Sequence, residues 1–228
     1  MSLIFFINFI LQFPLFNAYT SHSLPISSSL LQTVPTRIMN LQAGGRASQN
    51  DLLHQMSISI SQSTGKSFQG DRIEGGMGGG GGGASNGFIT DSSQGISFFF
   101  KSASLAKYEM LQAEFIGVHE MFTTHKIRVP KPIALGTSDF NAFVVFEKLS
   151  LGGFGDPKVY ARKLVELHKH TSSNNEYGFK INNTIGATFQ PNNWSKNWAD
   201  FWVTHRLGFL LFFPNNLSLI KYLYTANL

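Results

Sequence analysis

The middle of the chain carries two different periods of apolar residues. Between residues 104 and 125, apolar side chains recur every three or four positions, at Tyr108, Leu111, Phe115, Val118 and Phe122. This spacing predicts an amphipathic helix with Ser104 as its N-cap. Two short runs before it, NGFIT and ISFFFK, are typical of strands, and the polar segment 91–95 between them has the composition of a hairpin connection.

Two further strands are predicted after this helix. The segment IRVPKPIALG contains two prolines, which favour extended chain at the edge of a sheet. The run AFVVFEKL, residues 142–149, is apolar over the length of a strand and suits a buried position. The predicted order is therefore β-β-α-β-β.

The last third of the chain reads as helical. Asp156 is a suitable N-cap because proline follows at the first helical position, and the helix that it opens has Tyr160, Leu164 and Leu167 on one face. A polar loop over residues 171–193 leads to an aromatic helix, WSKNWADFWVTHRLGFLLFF, which Pro214 ends. The fold class is α+β, with a sheet in the first half and helices in the second.

Composition excludes several classes of function. The chain has 228 residues and no cysteine, which excludes disulfides, thiolate metal sites and a cysteine nucleophile. The net charge of +5 is spread thinly, so we expect no nucleic-acid partner. His168 and His170 stand two apart on a helix and point in different directions, so they predict no metal site, and His205 is interpreted as a packing or capping residue.

Residues 1–50 differ from the rest of the chain. They contain no acidic residue and much serine, which is typical of an organelle transit peptide, although a signal peptide or a spurious extension remain alternatives. The apolar stretch 1–16 is interrupted by Asn8, Gln12 and Pro14, and it is shorter than the roughly 20 residues of a spanning helix. We interpret residues 1–50 as removable or unfolded and expect no stable membrane span.

The glycine tract at residues 75–83 is compatible with a linker or with a loop whose amides approach a phosphate. The segment 64–67 is not a Walker loop because it lacks the earlier glycine of that motif. A phosphate site needs close amides and a fixed cation that a carboxylate orients. Lys101 ends a strand after the tract, and Glu114 lies in the next helix where it could reach Lys101, although both could be ordinary surface charges. A nucleotide base would then lie against the strand 142–146.

Several longer pieces resemble the plant fructosamine-3-kinase-related proteins, also called protein-ribulosamine or ketosamine 3-kinases. They include SFFFK, MLQAEFIGVHEM, VVFEKLSLGG, INNTIGATFQPNNW and HRLGF, and they run from about residue 64 to 211. The resemblance implies a protein-kinase-like N-lobe, similar to that of aminoglycoside phosphotransferases, followed by an incomplete helical C-lobe. It also implies that ATP phosphorylates the sugar 3-hydroxyl of small ketosamines or glycated protein lysines, in the plastid stroma.

Carried over position by position, the resemblance implies an ATP site with a phosphate loop, a lysine with its partner, and a hinge that meets the base. These residues are Gly81, Gly82, Gly83, Ala84, Ser85, Asn86, Lys101, Glu114, Glu147, Lys148 and Leu149. The implied domains are the N-terminal segment 1–50, a nucleotide-binding lobe 51–149, the start of the C-lobe 150–211 and a divergent tail 212–228.

The sequence also departs from the family pattern. It contains no His-Gly-Asp tripeptide, so we expect a C-terminally truncated member, from an alternative transcript or incomplete gene model, without the catalytic base or the ligands for Mg²⁺. Ala84 stands where many plant members have cysteine, which excludes a thiol switch. A truncated C-lobe would leave apolar side chains exposed and favour self-association, at Trp198, Phe201, Trp202, Phe209, Leu210 and Phe212. A regulatory fragment that pairs with a full-length homologue, and a protein anchored by residues 1–16, remain alternatives.

Overall fold

A computed structural model describes residues 45–75, 84–150, 152, 155–186 and 188–208. Within these ranges, five strands form one antiparallel sheet in the order β1-β2-β3-β5-β4. The strands are β1 (Arg72–Gly75), β2 (Ser85–Asp91), β3 (Ile96–Ser104), β4 (Pro132–Thr137) and β5 (Asn141–Glu147). The proline-containing strand β4 lies at an edge and the apolar strand β5 lies inside the sheet, as the sequence predicts.

One helix covers each face of the sheet. Helix α1 (Gly45–Thr64) buries Leu52, Met56 and Ile60, which recur every four residues on one side. Helix α2 (Tyr108–Thr124) packs on the opposite face through the predicted apolar stripe, of which Leu111, Phe115 and Val118 are buried. The sheet therefore has two apolar faces, and its inner strand β5, which lies between β3 and β4, is buried on both.

The start of α2 differs from the prediction. Ser104 is the last residue of β3, and its side chain makes no capping hydrogen bond. The chain first forms a short 3-10 turn, Leu105–Lys107, and the α-helix begins after it at Tyr108. The prediction of Ser104 as the N-cap of the α-helix is wrong because this turn moves the helix start three residues further along the chain.

Helix α1 and strand β1 are not among the predicted elements. The helix begins at Gly45, before the expected boundary at residue 50. The helix ends at Thr64, and the next residue, Gly65, has a φ of +67° and donates its N–H to the carbonyl of Ser61 at 3.0 Å. This left-handed glycine is a common way to end a helix. The Gly-Lys-Ser triplet at 65–67 thus directly follows the end of a helix.

The second half of the chain contains α3 (Pro157–His168), β6 (Asn183–Ile185), β7 (Thr188–Gln190) and α4 (Trp198–Trp202). Asp156 caps α3 as predicted, since its carboxylate accepts the N–H of Lys158 at 2.8 Å. On the predicted inner face of α3, Leu167 is buried, whereas Tyr160 is exposed. The strands β6 and β7 form a hairpin inside the segment predicted to be a loop.

Helix α4 starts later than predicted. Asn197 caps it by accepting the N–H groups of Ala199 and Asp200, so the helix begins at Trp198 and continues into a π-helical turn, Val203–Gly208. Phe201 is buried, which corrects the expectation that it is exposed for self-association. Phe209, Leu210 and Phe212, and the predicted end of the helix, lie outside the described residues.

Across the described ranges, no helix combines the length and the apolar character that crossing a membrane requires.

Candidate functional site

Lys101 and Glu114 form a buried ion pair between the sheet and helix α2. The Nζ of Lys101 lies 2.5 Å from the Oε1 of Glu114, and the two side chains are 5% and 8% exposed. The predicted contact between these residues is therefore present in the structure. Because removing one partner of such a pair leaves a buried charge uncompensated, the two residues depend on each other.

The alternation of β3 and the period of α2 bring this pair together. Phe100 belongs to the apolar cluster under α1 and Ala103 to the cluster under α2, so Lys101 points to the α2 face, like Ala103. Glu114 precedes buried Phe115 on the side of α2 that faces the sheet. A charged pair on a largely apolar face contributes little to stability by comparison with apolar residues, so its position is a candidate for function.

The glycine tract joins two neighbouring strands close to Lys101. Gly81, Gly82 and Gly83 lie outside the described residues, but the chain leaves β1 at Gly75 and enters β2 from Ala84. Of the predicted loop residues, Ala84 is buried, and Ser85 and Asn86 are the first residues of β2.

Asn86 is paired directly opposite Lys101 in the ladder between β2 and β3. Directly opposite residues share a face of the sheet, and their Cβ atoms lie about 5 Å apart. The segment 76–83 therefore connects its strands at the same end of the sheet as the ion pair.

The predicted hinge begins at the end of β5. The carboxylate of Glu147 accepts hydrogen bonds from both terminal nitrogens of Arg128, at 2.9 and 2.6 Å, and from the N–H of Lys131 at 3.0 Å. The hydrogen bond from Arg128 lowers the pKa of Glu147. The main-chain N–H of Glu147 already donates to the carbonyl of Lys131 at 2.8 Å. The main-chain N–H groups of Lys148 and Leu149 are therefore the better candidates to donate hydrogen bonds to a nucleotide base.

The strand expected to lie against the base offers no surface for it. All five side chains of residues 142–146 are 0% exposed, because α1 covers one face of β5 and α2 covers the other. That prediction is wrong. The rings on the Lys101 face that remain partly exposed are Phe88 of β2 and Phe99 of β3.

Metal ligands are not assembled in the described part of the chain. There, no group of three histidine or acidic side chains is arranged to hold a metal ion. The described residues therefore form no magnesium site made of protein ligands alone.

Sequence reasoning missed a buried arginine in the second half. The Arg206 side chain donates to the carbonyl of Pro191 at 2.7 Å and to the Oδ1 of Asn192 at 2.6 Å, and its guanidinium lies 4.7 Å from the ring centroid of Phe201. Burial lowers the pKa of Arg206 to about 10. Arg206 ties the end of α4 to the segment after the β6–β7 hairpin. The asparagine-rich sequence PNNW could have indicated a buried donor such as Arg206, because buried amides need hydrogen-bond partners.

Sequence comparison identifies relatives of this chain. The family model described as Fructosamine kinase matches residues 52–219, well over half of the chain. Protein-ribulosamine 3-kinase, chloroplastic, from Oryza sativa subsp. japonica is 37% identical over 137 residues, which are 59% of this chain and 39% of that protein. A probable ketoamine kinase from Synechocystis sp. is 37% identical over 155 residues, which are 67% of this chain and 50% of that protein.

The Arabidopsis thaliana protein-ribulosamine 3-kinase, chloroplastic, is 35% identical over 149 residues, covering 64% of this chain and 44% of the relative. The chain thus spans half or less of the length of these curated relatives. A crystal structure assigned to a fructosamine-3-kinase of Haemophilus somnus 129PT has a TM-score of 0.61 at 23% identity, over 70% of this chain and 55% of that one. The predicted α+β fold with a kinase-like N-lobe is confirmed, and the chain belongs to the fructosamine kinase family.

Proposed function

We propose that this chain is the nucleotide-binding part of a ketosamine 3-kinase and that it binds ATP at the Lys101–Glu114 pair. The observation that carries the proposal is the burial of this pair beside the strand that the glycine tract enters. A lysine held by a helix glutamate is the group that meets nucleotide phosphates in kinases. The family membership supports ATP as the phosphoryl donor.

Each residue has a distinct task in this proposal. Lys101 donates from Nζ to phosphate oxygens, and Glu114 holds the ammonium group in place. The amides of Gly81, Gly82 and Gly83 with Ala84, together with Ser85 and Asn86, close on the phosphates. Glu147, Lys148 and Leu149 form the hinge, with Glu147 held by Arg128 as a fixed end.

The proposed acceptor is the sugar 3-hydroxyl of a ketosamine, either small or on a glycated lysine. The names of the rice, Arabidopsis and Synechocystis relatives support this class of acceptor. The plant relatives are named chloroplastic, which supports a plastid location for this chain.

The test combines binding with phosphoryl transfer. The full chain is incubated with ATP, Mg²⁺ and a ribulosamine, and the phosphorylated sugar is followed by ³¹P NMR while ATP binding is measured by calorimetry. A kinase binds ATP and forms the 3-phosphate, and both activities are lost in Lys101→Met. Absence of ATP binding by the unmodified chain contradicts the proposal.

A second candidate is a nucleotide-binding or regulatory fragment that pairs with a full-length homologue. This candidate predicts ATP binding that depends on Lys101 without any sugar phosphate, and co-purification with a full-length homologue. Formation of sugar phosphate by the purified chain contradicts it.

A further inference from the structure

Helix α2 is buried along two opposite sides. Leu111, Phe115 and Val118 lie on the side that packs on the sheet. Ala113 and Ile116 are also buried, but neither belongs to that apolar cluster. Because successive residues of an α-helix are turned by about 100°, these two lie on the far side of the helix. A part of the chain other than the sheet therefore covers this second side.

The segment before the β6–β7 hairpin meets the second side of α2. Glu120 lies four residues after Ile116 along the helix, so it is on the same side. Its carboxylate pairs with the ammonium group of Lys180, three residues before β6 begins. Strand β6 also contacts α2. The helix is thus held between the sheet and the second half of the chain.

The Lys180–Glu120 pair is too exposed to contribute much to stability. Each of its side chains is 42% exposed, and ion pairs at such positions contribute little to the stability of folded proteins. The Lys101–Glu114 pair on the sheet side of α2 differs, because its side chains are almost fully buried. A role for the exposed pair is therefore better sought in the position of the helix than in the stability of the fold.

One helix carries both glutamates. Glu120 lies six residues after Glu114, which is about 9 Å along the helix axis. Lys101 is fixed in the sheet, whereas Glu114 moves with α2. Since the Nζ of Lys101 and the Oε1 of Glu114 are 2.5 Å apart, a shift of α2 by about 1 Å would lengthen this charge-assisted bond beyond its usual range of about 2.7–2.9 Å. The contact between Lys180 and Glu120 therefore bears on the buried pair.

We propose that Lys180 is a positioning residue for the nucleotide site. Through Glu120 it holds α2 in the place where Glu114 meets Lys101. This inference rests on the proposed function, because it assumes that a nucleotide binds at Lys101. Apparent affinity falls with the fraction of molecules in which the binding-competent arrangement is present. A residue of the second half thus raises nucleotide affinity through the helix rather than by contact with the nucleotide.

The experiment is calorimetric titration of the full chain with AMP-PNP and Mg²⁺ after exchange of the two charges. Lys180→Glu and Glu120→Lys each replace attraction by repulsion, so we expect each to weaken AMP-PNP binding by about three- to fivefold. The double variant Lys180→Glu/Glu120→Lys restores the attraction with the charges reversed and should recover most of the affinity. Lys180→Arg keeps the charge and should keep the affinity.

Lys169→Glu is the matched control. Lys169 pairs with Glu166 at 2.8 Å at the end of α3, with both side chains exposed, and neither residue belongs to α2. This change should leave the affinity unchanged. Unfolding of a variant lowers the number of binding sites per chain, whereas a displaced α2 lowers the affinity of the site without changing that number. The titration therefore separates positioning from a loss of folded protein.

Unchanged affinity in Lys180→Glu contradicts the positioning role while Lys101-dependent binding by the unmodified chain stands. A loss that the double variant does not recover also contradicts it, because the effect then does not pass through Glu120. If Lys180→Glu fails to fold, as judged by its unfolding midpoint, Glu120→Lys applies the same test from the helix with the same two outcomes. If the unmodified chain does not bind AMP-PNP, the proposed function fails and this inference fails with it.

Discussion

At the scale of single residues, we expect the Lys101–Glu114 pair to be needed for ATP binding but not for the stability of the fold. The side chains are almost fully buried and lie on an apolar face of the sheet. Replacing both members of a buried pair by apolar residues is often neutral, whereas removing one is costly. We therefore expect a variant that lacks one member of the pair to be destabilised, and a variant in which both members are apolar to be stable.

We expect Glu114→Gln to lower the free energy of unfolding by about 3 kcal/mol, because Lys101 is left buried without its counter-charge. The double variant Lys101→Met/Glu114→Leu should recover most of this loss and still bind no ATP. Chemical denaturation measures the stability, and calorimetry measures the binding. A double variant that is as unstable as the single one contradicts the account of the pair.

Asp91 is a second buried carboxylate, held entirely by neutral donors. It is 1% exposed and accepts hydrogen bonds from the hydroxyl of Ser93 at 2.6 Å, the N–H of Gln69 at 2.8 Å, and the N–H and side-chain amide of Gln94 at 3.1 and 2.7 Å. The hydroxyl of Ser93 and the N–H of Gln69 lower the pKa of Asp91 to about 2.

This lowered pKa predicts a dependence of stability on pH. A group with a lowered folded pKa stabilises the fold above its unfolded pKa, near 3.8, and the stabilisation is lost as the pH falls towards about 2. We expect Asp91→Asn to unfold at a lower temperature at pH 7 and to show a weaker pH dependence between 4 and 2. Thermal scans across this range measure both effects. Asp71→Asn removes an exposed carboxylate nearby and should stay close to the unmodified protein at pH 7.

At the scale of secondary-structure elements, helix α1 belongs to the same core as the sheet. Leu52, Met56 and Ile60 are buried in the cluster that also contains residues of β2, β3, β4 and β5. The helix begins at Gly45, so we propose that the folded lobe starts there and not at residue 51.

We expect Met56→Ala to lower the free energy of unfolding by about 2–5 kcal/mol, because this side chain is 0% exposed. Ile58→Ala, at a position of the same helix that is 36% exposed, is the control and should lower stability clearly less than Met56→Ala. Urea titration measures both. Equal effects of the two changes would show that the helix does not pack on the sheet in solution.

The sequence pattern predicted the elements in which apolar residues recur regularly. It missed the elements in which they do not. The stripe of α2 and the apolar run of β5 are clear because each is buried in a regular way. In α1, serines alternate with the apolar residues, and two of them donate to carbonyls four positions earlier, Ser57 to Leu53 and Ser61 to Ser57. That pattern obscured the helical period. The start of α2 was missed because a 3-10 turn intervenes, which side-chain periodicity does not report.

The sequence was enough to predict the ion pair of the candidate site, but not which faces of the strands stay exposed. The order of Lys101 and Glu114 along the chain was enough to predict their contact. Which face of each strand remains open depends on where α1 and α2 pack, and only the structure shows that β5 is covered on both sides. The alternation in Phe98, Phe99 and Lys101 did carry the signal that Phe99 shares a face with the lysine.

At the scale of the whole molecule, contacts join α2 to the second half of the chain. The ammonium group of Lys180 pairs with the carboxylate of Glu120 on α2, shortly before the β6–β7 hairpin. Within the second half, Arg206 holds the end of α4 to Pro191 and Asn192. The helix that carries Glu114 is therefore in contact with both halves.

Tryptophan fluorescence reports on the second half alone, because all three tryptophans of the sequence lie between residues 194 and 202. We expect Arg206→Met to lower the stability measured by fluorescence by about 1–3 kcal/mol, since the oxygens that it serves are left unpaired. Arg162→Met, at an exposed position of α3, is the control and should be close to neutral. An unchanged fluorescence transition in Arg206→Met contradicts the anchoring role.

The central claim is that this lobe binds a nucleotide through Lys101. The measurement that tests it most directly is calorimetric titration of the purified full chain with ATP and Mg²⁺, beside Lys101→Met and Lys66→Met. Lys66 belongs to the triplet that directly follows α1, so we predict that its replacement leaves ATP affinity unchanged, while Lys101→Met abolishes binding. Equal binding by the unmodified chain and Lys101→Met, or a loss confined to Lys66→Met, would contradict the claim.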